Sequence, residues 1–111
     1  MNGHVECWLW DDTLKLWVKA PAVVTVKRII ATGQVGAVGA HKLFWVSMNP
    51  SAANSILEIT DDTDGSTAVV FDMYHATRDH MHMLLGPPMP FSNGIWVKTF
   101  TSFTSVMFGY V

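Results

Sequence analysis

Residues 55–75 read Ser-Ile-Leu-Glu-Ile-Thr-Asp-Asp-Thr-Asp-Gly-Ser-Thr-Ala-Val-Val-Phe-Asp-Met-Tyr-His, and this stretch decides the fold class. Leu57 and Ile59 fall on one side of an extended chain, and Ile56, Glu58 and Thr60 on the other, which is the alternation of a half-buried strand. Asp64-Gly65 follows, where glycine accepts the positive φ of a tight turn, and Val69-Val70-Phe71 resumes on the far side. A β-hairpin is the reading that uses every residue.

The same grammar extends in both directions. Short apolar stretches rich in β-branched and aromatic residues recur every eight to twelve positions: Val5–Trp10, Leu14–Lys19, Val23–Ala31, Lys42–Met48, Ser55–Thr60, Thr67–His75, His80–Leu85, Ile95–Phe100 and Ser105–Val111. Turn chemistry separates them at Asp11-Asp12-Thr13, Asn49-Pro50-Ser51, Gly86-Pro87-Pro88 and Asn93-Gly94. Trp8–Val18 carries a partial helical spacing, but Asp11-Asp12 and its β-rich flanks favour a hairpin. Gly33, Gly36 and Gly39 read as a glycine-rich loop or bulged edge. About nine short strands without a long helix predict an all-β antiparallel sandwich of the jelly-roll kind, one domain over residues 1–111.

Composition narrows the function. The 111-residue chain is 50% hydrophobic and 12% aromatic, too apolar for disorder. Charged residues make up only 14%, where about 25% is usual. A chain of this mass exposes roughly 6,100 Å² folded against about 17,800 Å² extended, enough for one core and not two. Polar residues are too few to cover that surface, so apolar surface is expected to hide against another copy or a partner. Seven Lys and Arg against nine Asp and Glu, with no basic run, argue against phosphate-driven nucleic-acid binding. Cys7 is the single cysteine and cannot form an intrachain disulfide. The start of the chain has neither a signal-peptide pattern nor a membrane span.

Strand alternation gives the hidden surface a location. Phe44, Val46 and Met48 oppose Leu43 and Trp45; Phe71 and Met73 oppose Val70 and Tyr74; Ile95 and Val97 oppose Trp96 and Phe100; Met107 opposes Val106, Phe108 and Tyr110. One face of each strand suffices for a sandwich core. The second apolar face, through Leu43, Trp45, Val70, Tyr74, Trp96, Phe100, Phe108 and Tyr110, is expected to meet other subunits in a homo-oligomer, a trimer in the leading reading.

Sites of chemistry are sparse. His75, Asp79, His80 and His82 form the one cluster with metal-like spacing, and His80 and His82 share a strand face. No clear third and fourth ligand accompanies them, so they remain weak zinc or nickel candidates, with a polar sheet face as the ordinary alternative. Asp61-Asp62-Thr63-Asp64-Gly65 invites a calcium reading, but an EF-hand register puts Thr60 first and Phe71 twelfth, where acids are needed. A solvated hairpin tip is the expectation. No serine sits in a nucleophile elbow, and no glycine loop cradles phosphate. No catalytic residue and no cofactor is expected. Trp8, Trp10, Trp17, Trp45 and Trp96 serve as core or interface residues, or alternatively as an aromatic platform for a sugar ring.

Pro88-Met89-Pro90-Phe91-Ser92-Asn93-Gly94-Ile95-Trp96-Val97, followed by Ser105-Val106-Met107-Phe108-Gly109-Tyr110, resembles small single-domain β proteins encoded among virion genes of tailed phages and in marine viral sequences. Leu57-Glu58-Ile59-Thr60-Asp61-Asp62 ahead of a glycine turn is similar to their pattern as well. The likeness covers Val23 onward; the tryptophan-rich start, Val5 to Trp17, has no counterpart in it. It implies a non-enzymatic, trimeric jelly-roll component of a particle, whose partners are its own copies and other virion proteins, with no nucleic acid bound and no membrane entered. A carbohydrate-binding module meeting a host-surface glycan is the alternative. Independently of any likeness, Pro88 and Pro90 cannot donate ladder hydrogen bonds and are expected to stay out of a central strand. The last strand, running to Val111, is expected to be tied into the sheet.

Overall fold

The structure is a computed structural model that describes residues 8–13, 15–19 and 24–111. Among the described residues there is no helix, and ten strands follow in order: β1 (Trp8–Asp11), β2 (Leu16–Lys19), β3 (Thr25–Ile29), β4 (Gly33–Val35), β5 (His41–Pro50), β6 (Ser55–Asp61), β7 (Val69–His75), β8 (Met81–Phe91), β9 (Ile95–Thr101) and β10 (Phe103–Tyr110). β1 and β2 form a two-stranded antiparallel ladder in which Trp10 is opposite Trp17. The other eight make two four-stranded sheets, β3-β10-β5-β8 and β4-β9-β6-β7.

Those two orders define a jelly roll. β3 pairs with β10, β4 with β9, β5 with β8 and β6 with β7, all antiparallel, as in one long ribbon folded back on itself. Rolling that ribbon brings β10 beside β5 and β9 beside β6, which closes the two sheets. The hairpin at Asp64-Gly65 joins β6 to β7 as expected, with Gly65 at φ 77°. Within the glycine-rich stretch expected to be a loop or bulged edge, Gly33–Val35 pairs with Ile95–Val97 and forms an edge of the second sheet. The final strand is tied in as expected, since the Val111 N–H donates to the Lys42 carbonyl and the Lys42 N–H to the Val111 oxygen, both at 3.1 Å.

The core lies between the sheets. Val35, Leu43, Val46, Met48, Leu57, Ile59, Ile95, Val97, Val106 and Phe108 are fully buried there, with Phe91 and Tyr110 nearly so. One-residue bulges in the ladders help set which side chains reach it. β5 advances from Trp45 to Leu43 while β10 advances only from Gly109 to Tyr110, so Phe44 is an extra residue. β9 advances from Thr99 to Val97 while β6 moves only from Glu58 to Ile59, so Lys98 is extra. A bulge interrupts the two-residue period. Leu43 therefore faces the core together with Val46, and Phe100, opposite buried Leu57, faces it together with Val97.

These bulges correct the outer-face reading. Leu43, Phe108 and Tyr110 are core residues of the single chain, and Phe100 packs against that core. On β10 the alternation is as read, but its Val106–Phe108–Tyr110 side is the inner one. The outer side carries Ser105, Met107 and Gly109.

β8 also differs from expectation. It does not end at Leu85: its pairing with β5 jumps from Leu84 opposite Trp45 to Met89 opposite Leu43 and continues to Phe91. The Gly86-Pro87-Pro88 segment is accommodated within that jump instead of turning the chain. Pro90 then sits in an edge strand, where a missing N–H costs no ladder bond.

Candidate functional site

The acidic turn is a structural clamp. Asp62 is almost completely buried, not solvated as expected. Its Oδ1 accepts the Thr60 hydroxyl at 2.7 Å and the Gly65 N–H at 2.8 Å, and its Oδ2 accepts the Thr67 N–H at 2.8 Å and the Thr67 hydroxyl at 2.7 Å. Burial alone raises its pKa, but the bonds from Thr60, Thr67 and Gly65 outweigh burial and hold the carboxyl well below the usual carboxylate range. Its neighbour Asp61 reaches across to the β8–β9 turn and accepts the backbone N–H groups of Ser92 and Asn93 at 2.9 and 2.7 Å. Burial and the charge of Asp62 raise its pKa, and the N–H groups of Ser92, Asn93 and Gly94 bring it below the ordinary value. These donors already occupy the carboxylate lone pairs with which a cation would be held. The two acids bind backbone, and so tie two neighbouring turns at one end of the sandwich.

The histidines are likewise spread over local tasks. His75 Nε2 lies 2.9 Å from the Asp79 carbonyl, His80 Nε2 lies 3.2 Å from the Ser47 hydroxyl, and the His82 ring packs against the Trp45 indole at 5.4 Å, tilted by 40°. Among the described residues, no group of three or more His, Cys, Asp or Glu side chains is placed to hold a metal ion. His80 and His82 thus share a surface but not a ligand geometry.

The remaining candidates are apolar and lie on the outside of the sheets. On the outer face of β3-β10-β5-β8, one row runs Val26, Gly109, Trp45, Leu84 and the next Arg28, Met107, Ser47, His82. Residues directly opposite one another share a face. Val26, Leu84 and Met107 are exposed there, Leu84 at 74%. Trp45 is half-buried because its indole lies on Gly109 and under His82. The outer face of the second sheet carries exposed Ile56, Val70 and Tyr74 together with Glu58 and Asp72. Trp96 is half-buried, its indole packed beneath Gly65 of the acidic turn.

Of the eight residues expected at a subunit contact, Val70 and Tyr74 are exposed on an outer face, and Trp45 and Trp96 are half-buried on one. The other four point inward. Exposed large hydrophobics outside that expected set include Val26, Ile30, Val38, Ile56, Leu84 and Met107. The signal was present for Met107, already placed opposite Val106 and Phe108. For Leu84, only knowing that β8 is an edge strand reveals that its face lies open. Trp10 is half-exposed on β1, whereas Cys7, the segment Val5–Cys7 and the side chains of Trp8 and Trp17 lie outside the described residues.

No helix among the described residues is long and apolar enough to cross a membrane. Compared with family models, with curated proteins and with solved structures, the chain matches none.

Proposed function

We propose that this jelly roll is a non-enzymatic assembly protein, a structural or adhesion component of a virus or phage particle that works as a homotrimer through its outer sheet faces. One observation carries the reading. The hydrophobic core is completed within a single chain, yet large hydrophobic side chains still stand exposed on both outer sheet faces. Isolated exposed apolar residues are ordinary, but rows of them across a sheet mark a contact surface. The low charge content fits the same use. The likeness of Pro88–Val97 to phage virion proteins supplies the particle context.

Sedimentation velocity of the full chain at micromolar concentration tests the assembly. A species of three times 12.3 kDa is expected, and a stable monomer overturns it. Peptide mass spectrometry of purified particles from the source of the sequence tests the context: stoichiometric recovery supports it, and absence of the chain from the particles overturns it.

A carbohydrate-binding role is the second reading, favoured by the Trp45–His82 ledge on an open sheet face. Aromatic faces stack on sugar rings. It requires glycan-array binding that Trp45→Ala abolishes, and a silent array removes it.

A further inference from the structure

The sandwich has four lateral strands, β3 and β8 in one sheet and β4 and β7 in the other. An edge strand leaves one row of backbone N–H and C=O groups unpaired, and proteins blunt such edges with proline, charge or shortness. β8 carries Pro87, Pro88 and Pro90. β4 has only three residues. β7 is different: seven residues long, with no proline, glycine, lysine or arginine. β3 has no proline or glycine either, and it carries Lys27 and Arg28.

The outward side chains of these two open edges match. On β7, Val70, Asp72 and Tyr74 alternate on the outer face, with Val70 45% and Tyr74 61% exposed. On β3 and the residue after it, Val26, Arg28 and Ile30 alternate, with Val26 50% and Ile30 65% exposed. Each edge thus reads apolar, charged, apolar at two-residue spacing, one centred on an acid and the other on a base. Asp72 is also in need of a cation. It lies opposite Glu58, a like-charge pair across the strands, and Glu58 is engaged only with the Thr99 hydroxyl at 2.5 Å. Among the described residues, neither Asp72 nor Arg28 makes an ion pair.

We infer that β3 of one copy adds to β7 of the next, with Arg28 beside Asp72 and the exposed apolar residues flanking them on both sides. The inference rests on the assembly reading above and names its interface. Because each charge sits midway between two apolar residues, the match holds whichever way the added strand runs. The occupant is a second copy of this chain, since the complementary edge is its own. Pairing β7 with β7 instead would bring two Asp72–Glu58 pairs together, and pairing β3 with β3 would oppose two Lys27–Arg28 pairs. The contact is therefore heterologous, and such head-to-tail contacts generate a ring when the rotation closes.

Charge exchange tests it by sedimentation velocity on the full chain, with circular dichroism to show that each variant is folded. Arg28→Glu and Asp72→Arg, each alone, are expected to reduce the sedimenting mass to that of the monomer. The double variant R28E/D72R is expected to regain the wild-type mass. That recovery excludes simple misfolding and is expected only of a β3-to-β7 contact. A wild-type oligomer whose mass survives both single changes, or is not regained in the double variant, overturns the interface while leaving assembly intact. A monomeric wild-type chain overturns the assembly reading itself, and the interface with it.

Discussion

The indole of Trp45 occupies the space in which any residue other than glycine at position 109 would carry its side chain. A Cβ built on Gly109 would lie 2.2 Å from both Cε2 and Nε1 of Trp45. The two residues are directly opposite one another on β10 and β5, on the outer face of the sheet. Trp45 is thereby laid down on the sheet, half-buried, with His82 on its other side. The ledge is made by the absence of a side chain as much as by the presence of one.

Gly109→Ala is expected to lift the indole from the sheet and to destabilise the fold by about 1–3 kcal/mol, the usual cost of overpacking. Trp45→Ala in the same chain removes the clash. Chemical denaturation of the two single variants and the double variant should show a double variant more stable than the sum of the single losses implies. Strict additivity would mean that the contact carries no strain.

The clamp at Asp62 predicts the acid limb of the stability curve. Its carboxyl pKa is held down in the folded state, so its contribution is complete above the unfolded value of about 3.9 and drains away as the pH falls through the folded one. Thermal melts of the wild type should therefore lose stability steeply below about pH 4. Asp62→Asn should be less stable at pH 7 and show a shallower acid limb. Asp61 shifts in the same direction and adds to that slope. An unchanged acid limb in the double variant D61N/D62N would show that other groups set it.

Thr67 contributes two of the four shortest bonds to Asp62, one through its backbone and one through its hydroxyl. Thr67→Val keeps the shape and the backbone bond while deleting the hydroxyl. The expected loss is about 1–2 kcal/mol, the worth of one hydrogen bond to a charged group on an accessible turn. Urea denaturation measures it through the midpoint, with no change of slope expected.

Two leucine-sized changes separate the interior from the outer face. Leu57→Ala, at a fully buried site, should cost about 2–5 kcal/mol. Leu84→Ala, at a site 74% exposed, should stay within about 0.5 kcal/mol of wild type in the isolated chain. A large loss at Leu84 that appears only at high protein concentration would place it inside an assembled contact.

Much of this protein was legible before any coordinates. Hydrophobic alternation around Leu57 and Ile59, the Asp64-Gly65 turn and the spacing of apolar stretches determine an all-β sandwich, because each is a local consequence of backbone geometry and side-chain period. Placement of the edges depended on the roll of the whole chain. Gly33–Val35 is a strand only because β9 lies beside it, a pairing across some sixty residues that no local propensity announces. Inside and outside were decided by single extra residues. Phe44 and Lys98 interrupt the two-residue period, so Leu43 and Phe100 turn inward although simple alternation puts them outside. Asp62 is the sharpest case: its sequence context is that of a solvated turn, and only the folded loop surrounds it with five donors. Local chemistry determined which elements form; long-range pairing decided which of their faces remain open to a partner.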